Sequence, residues 1–85
     1  MNYRSSIEIM TLILNIAKTG TNKTQIKCRT SLTSRQVRHY LPLLVSNGGL
    51  EYDTEAREYK ITAKGLRLLE FERMVKEMLS PDDIN

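Results

Sequence analysis

A mainly helical fold with one small β-hairpin, in the order helix–helix–helix–hairpin–helix, is what this sequence predicts. Three observations carry the prediction. Apolar residues recur at helical spacing in stretches that each follow a Ser, Thr or Asn able to cap a helix. Two four-residue runs, Leu50-Glu-Tyr-Asp and Glu58-Tyr-Lys-Ile, alternate as half-buried strands do. And the 85 residues hold one cysteine and one histidine, so neither an internal disulfide nor a histidine–cysteine metal site supplements the core. A chain of this length forms one domain, residues 1–85, and buries only about 60–65% of the surface its unfolded form exposes. A second subunit is then the natural supplement to a thin core.

The first helix is expected over residues 6–18, capped by Ser5 or Ser6 and ended by Gly20, with Lys18 at the carbonyl end where a cation is favoured. Ile9, Ile13 and Ile16 lie on one face and Ile7, Met10 and Leu14 on another, so the helix is apolar on two faces. The second of these faces suits another subunit. Arg4 followed by the apolar run 9–17 faintly resembles a secretory leader. Asn15 and the Lys18-Thr-Gly that follows do not fit a cleavage site, and nine residues are far short of the roughly 20 that span a bilayer.

A short helix over 22–28 follows, capped by Thr21 or Asn22 and anchored by Ile26, with Thr30-Ser31 as a turn. Cys28 is expected as a small buried hydrophobe, and as a lone thiol it fits a reducing, cytoplasmic compartment. Thr33-Ser-Arg-Gln36 is a capping box that opens a third helix to about Ser46. Asn47-Gly-Gly49 closes it, and Pro42 inside it predicts a bend or loosened turn near 38–42. The hairpin spans 50–61 around a loop at 54–57. Thr62 caps a last helix to about Leu79, Ser80-Pro81 stops it, and Asp82-Asp-Ile-Asn85 forms a frayed tail.

Charge is distributed unevenly. No Asp or Glu occurs between Glu8 and Glu51, whereas Lys18, Lys23, Lys27, Arg29, Arg35 and Arg38 fall in that stretch. From Glu51 onward nine acids face six bases. A one-sign segment makes a positive surface that attracts a polyanion. On the third helix Val37, Tyr40, Leu41 and Leu44 form the inward stripe, which leaves Arg35, Arg38, His39 and Pro42 facing solvent. Ser34 and Arg35 stand at the amino end, the part of a recognition helix that reaches base edges. Arg35 and Arg38 suit guanine or phosphate equally. Lys23, Thr24 and Lys27, with Arg29 and Thr30 in the turn, are placed to hold the flanking backbone. The expected partner is double-stranded DNA.

The runs Lys-Thr-Gln-Ile (23–26), Leu-Thr-Ser-Arg-Gln-Val-Arg-His-Tyr-Leu-Pro-Leu-Leu (32–44) and Tyr-Lys-Ile-Thr-Ala-Lys-Gly-Leu-Arg-Leu-Leu-Glu (59–70) resemble archaeal winged-helix transcriptional regulators. The group of ten-kilodalton archaeal chromatin-associated DNA-binding proteins is the most similar. The resemblance covers residues 7–79. It implies a winged helix-turn-helix fold, with the helix-turn-helix at about 21–47, the wing at about 50–61 and the C-terminal helix at about 62–79. It also implies dimers joined by antiparallel pairing of last helices. Independently, Leu68, Phe71, Val75 and Met78 are spaced as a heptad seam requires, while Leu66 and Leu69 are placed to dock that helix on its own domain.

One departure from the pattern stands out. The wing carries Glu51, Asp53, Glu55 and Glu58 against Arg57 and Lys60, so Arg57 is the only tip residue suited to DNA. No nucleophile–histidine pair, Gly-rich phosphate loop or metal spacing is present, and no catalytic residue or cofactor is expected. Two other functions compete: a protein-interaction module using the acidic wing and apolar first helix, and an RNA binder. The sparse exposed aromatics weigh against the latter.

Overall fold

A short polar side chain opens each α-helix of the computed structural model, which describes residues 5–79. Ser5 caps α1 (Ser6–Ile16), Asn22 caps α2 (Lys23–Arg29), Thr33 caps α3 (Ser34–Ser46) and Thr62 caps α4 (Ala63–Met78). Each cap accepts a backbone N–H that the first helical turn leaves free. At α1 and α3 the exchange is reciprocal. Glu8 returns the bond to Ser5 N–H at 2.9 Å, and Gln36 returns it to Thr33 N–H at 2.9 Å. Thr33→Ala removes one side of the second box and is expected to lower stability by about 1 kcal/mol. A urea denaturation curve reads this as a lower midpoint at unchanged slope.

The α1 helix ends at Ile16, two residues before the expected Lys18, and Ala17–Thr19 tighten into a 3₁₀ turn. Gly20, at φ 87°, then redirects the chain. The α3 helix runs unbroken across Pro42, where a bend or loosened turn was predicted. Pro42 is exposed, so the acceptor it leaves unpaired lies toward water rather than in the core. Asn47 and Gly48, the latter at φ 87°, end α3 as expected. The expected stop at Ser80-Pro81 and the tail beyond it lie outside the described residues, as does Arg4.

Strands β1 (Leu50–Asp53) and β2 (Glu58–Ile61) pair antiparallel, with Leu50 opposite Ile61 and Tyr52 opposite Tyr59. A short bridge extends this hairpin. Thr21 donates its N–H to Tyr59 O at 3.0 Å and accepts from Tyr59 N–H at 2.7 Å. The bridge buries Thr21 completely and ties the start of the α2 segment to the hairpin.

Ile9, Ile13, Ile26, Leu32, Val37, Leu41, Leu44, Leu50 and Leu69 form the core, with Tyr40, Tyr59 and Ile61 packed against it. The inward stripe of α3 is therefore as expected. Tyr40 is half-buried, and its hydroxyl meets Ser6 Oγ at 2.9 Å, joining α3 to the start of α1. Leu66, expected to dock α4, is 47% exposed. The row of α4 that faces inward is Gly65 and Leu69, and Leu66 lies 100° around the helix from Gly65. Cys28, expected buried, is exposed. On α2 only Ile26 reaches the core, because Cys28, two residues on, lies about 200° around the helix from it.

Candidate nucleic-acid interface

The α3 helix turns Val37, Leu41 and Leu44 inward, so its polar rows must face out. Two adjacent rows result. Ser34 and Arg38, four residues apart, form the one nearer α2, and Arg35, His39 and Pro42 form the next. All five side chains are exposed. The His39 ring stands edge-on to Tyr40, with centroids 4.8 Å apart. That contact orients the imidazole without burying it.

The α2 helix contributes Lys23, Thr24 and Lys27, all exposed, and Arg29 at its last turn. Lys23, Thr24, Lys27 and Cys28 of α2 and Ser34, Val37 and Arg38 of α3 line one depression between the two helices. Its cations belong to the acid-free stretch read from the sequence. The ion pairs found among the described residues, Asp53–Lys60 and Glu72–Lys76, involve none of Lys18, Lys23, Lys27, Arg29, Arg35 or Arg38. Unpaired cations on an exposed face are available to a polyanion.

Thr30 is placed differently. Its hydroxyl donates to Ile26 O at 2.7 Å and accepts Leu32 N–H at 3.1 Å, so it is committed to the turn between α2 and α3. Part-exposed, it ties the end of α2 to the turn that leads into α3.

The hairpin is electrostatically different from this face. Asp53 Oδ1 accepts the N–H groups of Glu55 and Ala56 at 3.0 and 3.1 Å, and Asp53 Oδ2 meets Lys60 Nζ at 3.1 Å. The Ala56 N–H above all, then the Lys60 ammonium, hold the Asp53 carboxyl below its ordinary 3.8. The same bond raises Lys60. Lys60 is thus spent within the wing. Arg57 sits at the tip in a left-handed conformation, φ 55°, with its side chain exposed beside exposed Glu55.

On the far side, α4 packs on α1 and presents an unpaired apolar strip. Leu68 (40% exposed), Phe71 (65%) and Met78 (75%) face solvent, as do Met74 and Leu79, and Val75 is half-buried. Ile7, Met10 and Leu14 of α1 and Leu44 of α3 continue the strip into a groove floored by Leu68, Phe71 and Val75. The second apolar face read on the first helix is this groove wall.

Sequence reading missed three things. The Thr21–Tyr59 bridge is one residue long and leaves no periodic signal. The tie between α4 and the end of α3, Lys64 Nζ to Asn47 O at 2.6 Å, joins residues 17 apart. The close approach of Gly65 to Gly49 had one visible sign, a glycine in the first turn of a helix. Among the described residues no group of three or more His, Cys, Asp or Glu could hold a metal ion, and no helix is long and apolar enough to cross a membrane.

A family model described as winged helix-turn-helix matches residues 3–80 of the chain. No curated protein matches it.

Proposed function

We propose, from the premise that the chain belongs to the winged helix-turn-helix family, that it binds duplex DNA as a homodimer and regulates transcription in the cytoplasm. The observation that carries this reading is the face built by α2 and α3, whose exposed cations have no carboxylate among them. The α3 helix is the recognition helix. Ser34 and Arg35 enter first, Arg38 and His39 follow, and Lys23, Thr24, Lys27 and Arg29 hold the flanking backbone.

The wing is a secondary contact. With Lys60 engaged by Asp53 and the strands carrying Glu51 and Glu58, only Arg57 is left to approach a phosphate. The HTH unit, not the hairpin, supplies the affinity.

Dimerisation rests on the seam Leu68, Phe71, Val75 and Met78. Its 3-4-3 spacing reads the same from either end. Two antiparallel copies of α4 therefore bring Leu68 opposite Met78 and Phe71 opposite Val75.

Titration of a labelled duplex at several salt concentrations tests the DNA reading. Log K is expected to fall linearly with log salt, at about −0.9 per phosphate neutralised. No binding at low salt, or a flat salt dependence, overturns it and favours a protein partner for the same fold.

A further inference from the structure

We infer that Arg38 clamps a backbone phosphate of the duplex together with Lys23 and Lys27, which leaves Arg35 as the arginine that reads base edges. The inference rests on the DNA-binding reading above and divides its surface in two. Sequence alone places Arg35 nearer the base-reading end of the helix but leaves each arginine open to guanine or phosphate, three residues apart on one exposed face. The structure separates them.

Arg38 lines the depression between α2 and α3, and Arg35 does not. Residues four apart on a helix share a row, so Ser34 and Arg38 form one wall of the depression and Lys23 and Lys27 the other. Three cationic residues thus line one concave site, together with Thr24 and Ser34 and no acidic residue. Its floor includes Val37, which is 1% exposed. A phosphate oxygen takes hydrogen bonds from ammonium, guanidinium and hydroxyl donors alike. Base edges do not present that concentrated charge. Arg35, on the next row with His39, is exposed and does not line the depression, which leaves it for the planar two-bond contact to guanine.

The test compares Arg38→Ala, Arg38→Lys, Arg35→Ala and Arg35→Lys in the full chain. Affinity is measured by anisotropy at several salts, and base preference by sequencing a randomised duplex pool before and after binding. Arg38→Ala is expected to weaken every duplex by the same factor, about tenfold, and to flatten the salt slope by about 0.9 per protomer. Arg38→Lys restores most of the loss, because a point charge serves a phosphate. Arg35→Ala relaxes preference at one base pair by about tenfold, and Arg35→Lys does not restore it. Circular dichroism melting confirms that each variant stays folded.

Relaxed base preference in Arg38→Ala, or an unchanged salt slope, overturns the assignment while leaving DNA binding intact. A wild-type protein that binds duplexes without base preference overturns the role of Arg35. Failure of the wild-type protein to bind any duplex at low salt instead removes the DNA reading itself.

Discussion

Gly65→Ala is expected to destabilise the protein by about 2–4 kcal/mol, although alanine is the better helix former by about 1 kcal/mol. Gly65 lies in the first turn of α4, where that helix crosses the end of α3 and the start of β1. A Cβ there would collide with the carbonyl oxygen of Gly49 and stand 2.7 Å from Ile61 Cγ1. The Gly49 carbonyl is not free to yield. Gly49 O accepts Thr62 N–H at 3.1 Å, and Thr62 Oγ1 donates chiefly to Gly48 O at 2.5 Å, with Gly49 O at 3.1 Å, and accepts Gly65 N–H at 3.0 Å to cap α4. Moving the helix away to admit a methyl group breaks its own cap. A thermal melt should show a midpoint lower by roughly 10 °C or more. An equal or higher midpoint would mean that helix propensity outweighs the close packing, and that α4 is not fixed where the structure has it.

Phe71→Gln with Val75→Gln is expected to convert a dimer to a folded monomer. The pair removes two apolar groups from the seam without altering charge, and glutamine keeps the helix. Phe71 is 65% exposed and Val75 half-buried, so neither is held in the core cluster and the monomer keeps its fold. Light scattering should give twice the chain mass for the native protein and the chain mass for the variant. Affinity for a duplex with two half-sites should fall by about 100-fold or more, because a linked second contact raises avidity by that order. A native protein that is already monomeric contradicts the seam. A variant that remains dimeric moves the interface elsewhere.

The sequence made the element order legible because each helix announces itself twice, by a polar cap and by an apolar row. Ser5–Glu8 and Thr33–Gln36 are reciprocal boxes whose geometry follows from residue type and spacing alone. The basic face of α2 and α3 was legible for a related reason. Once Val37, Leu41 and Leu44 turn inward, Arg35 and Arg38 can only face out. What the sequence hid depends on how neighbouring elements cross. Cys28 resembles a core residue by type, yet the short α2 helix has room for a single anchor, Ile26. Leu66 and Leu69 are both apolar and three apart, and only the contact between Gly65 and Gly49 decides which of them faces the core. The grouping of Arg38 with Lys23 and Lys27 likewise depends on how α2 packs against α3, which no spacing rule within one helix contains.

That packing also makes the basic face a surface rather than a list of residues, and amide chemical-shift mapping addresses it most directly. Adding duplex DNA at low salt to isotope-labelled protein should shift the amides of Lys23–Arg29 and of residues 33–39 most, with the α4 amides of residues 66–78 nearly unmoved. Shifts concentrated on α4 or on the hairpin tip at 54–57, or no shifts at all, would contradict the assignment of α2 and α3 as the DNA-binding face.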